Sequence, residues 1–118
     1  MEALGVRAIV DPQLTALVLA WVAGGAALGT FTGLIPGIHA NNVALVLASV
    51  APTLPGLPLG VGVGILSAGV VHTFVNVVPA LALGVPDAET AATTLPGHRM
   101  VLAGRGGEAI RLSALGSG

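Results

Sequence analysis

The chain alternates long uncharged apolar runs with short polar interruptions. The first run, residues 14–35, has about 22 residues without a charge, enough for a helix rising 1.5 Å per residue to cross a hydrocarbon core of roughly 30 Å. A second uncharged run covers residues 59–85. The apolar segment between them, about 38–52, is too short to cross a bilayer as a helix. The pattern predicts two membrane spans joined by a short hairpin segment.

The two ends of the chain are more polar. Residues 1–12 form a short N-terminal tail, and residues 86–111 form a polar segment that we interpret as a hydrated loop before apolarity resumes at Leu112. Arg99, Arg105 and Arg111 lie in this segment. Because Lys and Arg set the orientation of membrane proteins, the loop is predicted on the cytoplasmic side.

Composition indicates a membrane protein or a piece of one. Hydrophobic residues make up 54% of the chain and charged residues 8%, against roughly 25% charged residues in soluble domains. A signal peptide would have an apolar region of only about 7–15 residues after a basic start, whereas Glu2 and Asp11 flank Arg7 here. The net charge of −1 argues against nucleic-acid binding, and the lack of cysteine excludes disulfides and thiolate metal sites.

A cluster of polar and helix-breaking residues follows the first apolar run. Pro36 and Gly37 break the helix, and the amide N–H groups that start the next helical piece carry a partial positive charge suited to an anion. Asn41 and Asn42 supply donors and acceptors, and His39 donates or accepts near neutral pH. Discontinuous helices of this kind mark binding sites in many secondary transporters. The alternative is an aqueous loop between two spans, with Asn42 as a helix cap.

A second group of polar residues lies within the second apolar run. His72 and Asn76 are four residues apart and share a helix face, with Thr73 adjacent and Pro79 opening the backbone one turn later. In the middle of a span these groups are expected to face protein or water. They would either line a binding site or hydrogen-bond a neighbouring helix.

The residues favour no metal or catalytic centre. His39, His72 and His98 lack the i, i+4 spacing of a helical metal motif, and no carboxylate lies near the first two in the sequence. No Ser or Thr is paired with a His as in a nucleophile signature. We therefore expect the protein to bind no cofactor or metal and not to be an enzyme. An intramembrane enzyme is a third option, but no pattern in the sequence requires it.

Glycines recur every fourth residue in the first apolar run. Gly25, Gly29 and Gly33 fall on one helix face, where another backbone can approach closely. The spacing predicts a helix-packing face. If that face packs only against partner proteins, the chain would be a non-transporting assembly subunit.

Two motifs in order resemble a known family. They are GTFTGLIPG, from Gly29 to Gly37, and VPDAETAATTLPGHRMVLAGRGGEAIRLSALGSG, from Val85 to Gly118. The chain resembles the start of the large permease subunit of tripartite tricarboxylate transporters, the TctA family, and is most similar to its archaeal branch. The residues that match the family's glycine motifs are Gly29, Gly33, Pro36 and Gly37, and then Gly97, Met100, Gly104 and Gly107.

The chain departs from the family pattern at several places, among them Pro96, which stands where the family has an Asp, and Gly84 to Asp87, which stand where it has Asn-x-Pro-Gly. His39 to Asn42 stand where the bacterial members have a Gly-Pro, and Val75 to Ala80 stand where they have a Gly-Gly-Ser-Thr-Thr-Ser stretch. The resemblance therefore supports an inference about the fold better than one about the substrate.

The resemblance implies a function as well as a fold. It implies that the chain is part of a multi-pass permease in the cell membrane. Such a permease uses an ion gradient to import small carboxylates such as citrate, together with a small membrane subunit and an extracytoplasmic binding protein. The resemblance leaves open whether the protein forms a homo-oligomer. Because family members are several times longer, the chain is expected to be an N-terminal fragment. Our prediction is an all-α integral membrane chain with a Pro-Gly-broken, re-entrant or discontinuous hairpin. The predicted substrate-binding residues are Pro36, Gly37, His39, Asn41, Asn42, His72, Thr73 and Asn76.

Overall fold

The described part of the chain consists of helices and the turns that join them, without a strand. The structure is a computed structural model, and it describes residues 11–54, 58–85 and 90–117. Its α-helices are α1 (Pro12–Gly33), α2 (Ala40–Val50), α3 (Pro58–Val75), α4 (Val77–Leu83), α5 (Ala91–Leu102) and α6 (Gly106–Ser117), with a 3-10 turn at Ala51–Thr53. The all-α prediction is confirmed. The predicted tail of residues 1–12 lies outside the described residues except at 11 and 12.

Helix α1 corresponds to the first apolar run and has a defined start. The carboxylate of Asp11 accepts a hydrogen bond from the N–H of Gln13 at 2.9 Å, and Pro12 occupies the first helical position. The helix then continues for 22 residues to Gly33. It is one of two helical stretches among the described residues that are long and apolar enough to cross a membrane.

The second such stretch is Pro58–Leu83, which contains α3 and α4. Asn76 separates the two helices, although its N–H still donates to the His72 carbonyl at 2.9 Å. Pro79, one turn later, has no N–H to give to the carbonyl of Val75. Helix α4 ends at Gly84, whose φ of 68° is the left-handed conformation that glycine adopts most readily.

Helices α1 and α3 pack in close contact through small residues. A Cβ atom added at Gly25 would collide with the carbonyl oxygen of Gly64, and one added at Gly29 would collide with the carbonyl oxygen of Ala68. The hydroxyl of Ser67 donates to the carbonyl of Val22 across the same interface, at 2.8 Å. We call this interface the glycine seam.

The glycine seam fixes the relative direction of the two helices. Residue numbers rise together along both helices, since Trp21 lies against Gly60 and Gly33 lies against His72. Helices α1 and α3 are therefore parallel, and the chain between them returns from the level of Gly33 to that of Trp21, about 18 Å along the axis. Helix α2 makes this return, with His39 at the Gly33 end and Ala48 near Pro58 at the other.

The polar segment 86–111, for which we predicted a loop, is largely helical where the structure describes it. It contains α5 and the start of α6. Packing accounts for the difference: Gly97 lies directly against the side chain of Leu81, and His98 Nδ1 donates to the Leu81 carbonyl at 2.7 Å. These contacts attach α5 to α4. They stabilise a helix in a segment that includes Pro96 and has a low helix propensity of its own.

The turn between α5 and α6 lies outside the two apolar stretches and carries an exposed ion pair. Arg105 Nε and Nη2 donate to the two carboxylate oxygens of Glu108 at 2.7 and 2.6 Å. The hydrogen bond from Arg105 lowers the pKa of the Glu108 carboxyl below its ordinary value, and its charge acts in the same direction.

Candidate functional site

A cavity of about 330 Å³ lies where the turn between α1 and α2 meets the junction of α3 and α4. One wall is formed by Gly33 and residues 35–39. The opposite wall is formed by Asn76, Pro79, Ala80 and Val85. We call it the break cavity, because one wall contains the turn after α1 and the other contains the junction between α3 and α4, two places where helical structure stops.

The first wall is a turn that reverses the chain after α1. Leu34 caps α1 by donating its N–H to the Thr30 carbonyl at 3.2 Å, and the N–H of Ile38 donates to the carbonyl of Ile35 at 3.4 Å. Gly37 has a φ of 89°, a left-handed conformation that residues with a Cβ rarely adopt. Pro36 and Gly37 therefore lie in the turn that leads from the end of α1 at Gly33 into α2.

The start of α2 lies at the edge of the break cavity. His39 is its N-cap residue, with extended backbone, and its side chain makes no capping hydrogen bond. The N–H groups of Asn42 and Val43 donate to the His39 carbonyl at 3.0 and 3.3 Å. The amides of Ala40 and Asn41 precede these first bonds of the helix, so this end carries a partial positive charge.

The second wall combines a buried amide with a proline. Asn76 is 6% exposed and lies between α3 and α4, and Pro79 follows in the first turn of α4. Among the described residues, no Asp, Glu, Lys or Arg side chain lines the break cavity. Arg99, Arg105 and Arg111 all belong to the α5–α6 region and are exposed.

The structure brings four of the eight predicted binding residues to the break cavity. Pro36, Gly37, His39 and Asn76 line it. Asn41 and Asn42 lie in the first turn of α2, next to His39 but exposed and outside the lining.

His72 and Thr73 lie away from the break cavity lining. His72 is 2% exposed, and its Nδ1 lies 3.0 Å from the hydroxyl oxygen of Thr32 on α1. The Thr73 hydroxyl is exposed and donates to the Gly69 carbonyl at 2.9 Å. For His72 this geometry corresponds to the alternative interpretation, a hydrogen bond to a neighbouring helix.

Thr32 is a polar residue that the sequence reasoning missed. It is 8% exposed and lies beside Gly33, at the end of the glycine seam. A signal was present in the sequence, because Thr32 falls three residues after Gly29 and so on the packing face. Its hydroxyl also donates to the Leu28 carbonyl, as threonine in an apolar helix commonly does.

The three glycines predicted to pack all lie in the glycine seam. Gly25, Gly29 and Gly33 are buried against α3 of the same chain. Within the described ranges no group of three or more His, Cys, Asp or Glu side chains could hold a metal ion.

Comparison with known proteins identifies the family. The sequence model of the tripartite tricarboxylate transporter TctA family matches residues 19–118. An uncharacterized protein of Methanocaldococcus jannaschii is 43% identical over 97 residues, which cover 79% of this chain. The chain spans only 23% of the length of that relative. No solved structure matches the chain. With a match from residue 19 to the last residue and an archaeal relative at this identity, the chain belongs to the TctA family and is an archaeal-type member.

Proposed function

We propose that this chain forms the N-terminal part of a permease subunit for secondary transport, and that the break cavity binds a carboxylate group of a small organic anion. One observation supports the proposal: the turn after α1, which contains Pro36 and Gly37, and the junction of α3 and α4 at Asn76 line the same cavity. In a membrane, irregular backbone is tolerated only where it is buried in protein or lines a water-filled cavity.

The chemistry of the break cavity suits a carboxylate. The start of α2 offers backbone N–H donors and a partial positive charge, and His39 and Asn76 add side-chain donors. The volume of about 330 Å³ is at the lower end of the range of small-molecule sites, roughly 300–1,000 Å³. An anion there would be held by dipoles and hydrogen bonds without an arginine or lysine from the described residues.

Family membership suggests the partners. As in other tripartite tricarboxylate transporters, the permease would work in the membrane with a small membrane subunit and an extracytoplasmic binding protein, and an ion gradient would drive uptake. The competing interpretation, an assembly subunit that packs on partners through its glycine face, is less well supported. Gly25 and Gly29 already pack against α3 of the same chain, so this face is not available to a partner.

Uptake of radiolabelled citrate tests the proposal. The permease that contains this chain would be expressed with its two partner subunits in membrane vesicles, and uptake would be compared with vesicles that lack the permease. Asn76→Leu keeps a similar side-chain volume but removes the amide from the break cavity, so we expect KM to rise about tenfold or more, the effect of about 1.4 kcal/mol. Thr30→Val is the control, because Thr30 is exposed on α1 and its hydroxyl donates to the Ala26 carbonyl of its own helix.

Two outcomes would contradict the proposal. One is the absence of ion-driven uptake of citrate or of smaller di- and monocarboxylates by the wild-type permease. The other is an unchanged KM in Asn76→Leu. Asn41→Ala and Asn42→Ala then test whether the exposed side-chain amides contribute to binding beside the backbone N–H groups. A change in the KM for uptake in these variants would extend the site beyond the cavity lining.

A further inference from the structure

A buried hydrogen bond joins the two helices that carry the walls of the break cavity. Nδ1 of His72 on α3 lies 3.0 Å from Oγ1 of Thr32 on α1. His72 is 2% and Thr32 8% exposed, so water does not compete for this contact. The bond lies at the end of the glycine seam, where Gly33 lies against the His72 backbone.

The hydrogen bonds of Thr32 favour one direction for this contact. Its hydroxyl donates to the Leu28 carbonyl at 2.9 Å, with the Gly29 carbonyl at 3.4 Å as a weaker second acceptor. Because a hydroxyl has a single hydrogen, the Nδ1–H tautomer of His72 is the one that satisfies both the bond to Leu28 and the contact with His72.

The position of the bond relative to the break cavity gives it a role. Thr32 precedes Pro36 by four residues, and His72 precedes Asn76 by four residues. His72 therefore lies one helical turn before the junction of α3 and α4, and Thr32 lies just before the turn that follows α1. A contact at this level ties α1 to α3 next to both walls of the cavity.

We propose that Thr32 and His72 are positioning residues, and that their hydrogen bond holds the two walls of the break cavity at the spacing that binds the anion. The inference rests on the proposed function for its consequence in transport, but the geometry it describes can be measured without transport. His72 thereby acts on the ligand through Thr32 and the wall spacing.

The tautomer of His72 tests the bond itself. The 118-residue chain, labelled with ¹³C and ¹⁵N in histidine and reconstituted in nanodiscs, is measured at about pH 9, well above the ordinary histidine pKa of about 6.5. We expect the His72 signal, assigned through its loss in His72→Asn, to show the Nδ1–H tautomer. Thr32→Ser, which keeps the hydroxyl, should preserve this signature, and Thr32→Val should lose it. A His72 signal that is the same in Thr32→Val as in the wild type would overturn the proposal.

The spacing of the walls is measured by spin-label distances. Because the sequence has no cysteine, Leu45→Cys on α2 and Leu83→Cys on α4, both exposed, give a single label pair. The wild-type chain and Thr32→Ser should give the same narrow distance distribution, whereas Thr32→Val should broaden or shift it. An unchanged distribution in Thr32→Val would overturn the proposal whether or not the permease transports citrate.

Transport kinetics test the consequence for the ligand. Losing one buried hydrogen bond, worth about 1 kcal/mol, should raise the KM for citrate about fivefold in Thr32→Val, with the maximal rate per transporter within about twofold of wild type. Thr32→Ser should restore KM, and adding His72→Asn to Thr32→Val should raise KM little further, because both changes break the same contact. A Thr32→Val permease that loses the His72 tautomer signature but keeps the wild-type KM would refute the positioning role. Failure of wild-type uptake would instead refute the proposed function and leave the distance measurement to decide the positioning of the walls.

Discussion

Replacing Gly29 with alanine should separate α1 from α3. A Cβ atom at this position would collide with the Ala68 carbonyl oxygen and would lie 3.0 Å from the Ala68 carbonyl carbon and Cα. These are backbone atoms, so no side-chain rotation relieves the overlap. Since carbon atoms pack at about 3.5–4.0 Å, the helices must move apart by roughly 0.5–1 Å.

The energetic cost follows from that movement. Overpacking of a well-packed interface costs about 1–3 kcal/mol, and stretching the 3.0 Å contact between Thr32 and His72 toward 4 Å would forfeit about 1 kcal/mol more. Alanine gains up to about 1 kcal/mol over glycine in helix propensity. Gly29→Ala should therefore destabilise the helix pair by a net 1–3 kcal/mol or so.

The sequence offers a matched control and an internal probe. A Cβ atom at Gly24, also on α1, would meet nothing within 4 Å, so Gly24→Ala gains the same propensity without the overlap. Trp21 is the chain's single tryptophan and packs over Gly60 and Gly64 on α3, so its fluorescence reports the separation of the helices. In detergent micelles, Gly29→Ala should unfold at lower temperature than wild type and Gly24→Ala at the same or higher temperature. If Gly29→Ala is as stable as Gly24→Ala, the seam does not hold α1 to α3.

Three further predictions concern the ends and turns of helices. Gly84→Ala should destabilise the chain by about 1–3 kcal/mol in the same fluorescence assay, because Gly84 has a φ of 68° and an added Cβ would lie 2.8 Å from the ring of His98. Gly107→Ala is the control and should not destabilise the chain, since an added Cβ there meets nothing within 4 Å. The pKa of Glu108, followed by NMR, should lie below the ordinary glutamate value and rise toward it in Arg105→Gln. Because the pKa is lower in the folded state than in the unfolded state, the ion pair contributes to folding stability at neutral pH, and this contribution is lost as the pH falls through the folded-state pKa. Asp11→Ala should speed hydrogen exchange in the first turn of α1, since a lost N-cap costs about 1 kcal/mol, and an unchanged exchange rate would show that this cap contributes nothing.

Uninterrupted apolarity made the helical framework predictable. The run 14–35 corresponds to α1, Pro12–Gly33, and the run 59–85 corresponds to Pro58–Leu83. A turn near Pro36 and Gly37 could likewise be expected, because proline and glycine act through their own backbone and need no knowledge of neighbours. The re-entrant or discontinuous hairpin stays a prediction.

Contacts between distant segments could not be predicted from one sequence. The sequence grouped His72 with Asn76 by helical spacing, but only the packing of α3 on α1 shows that His72 lies against Thr32 while Asn76 faces the cavity. The helix α5 was missed for the same reason. Its polar composition is typical of a loop, and the contacts of Gly97 and His98 with Leu81 are made 16 and 17 residues away in sequence.

The most direct test of the central claim is protection of the break cavity by ligand. Ile38→Cys places one thiol in the cavity lining, and Leu45→Cys places one on the exposed part of α2 as a control, each in an otherwise cysteine-free permease. The rate of maleimide labelling is measured with and without citrate at concentrations that saturate uptake. We predict that citrate slows labelling of Ile38→Cys, with a midpoint close to the KM for uptake, and leaves Leu45→Cys unaffected. Equal labelling of Ile38→Cys with and without saturating citrate would show that the anion binds elsewhere.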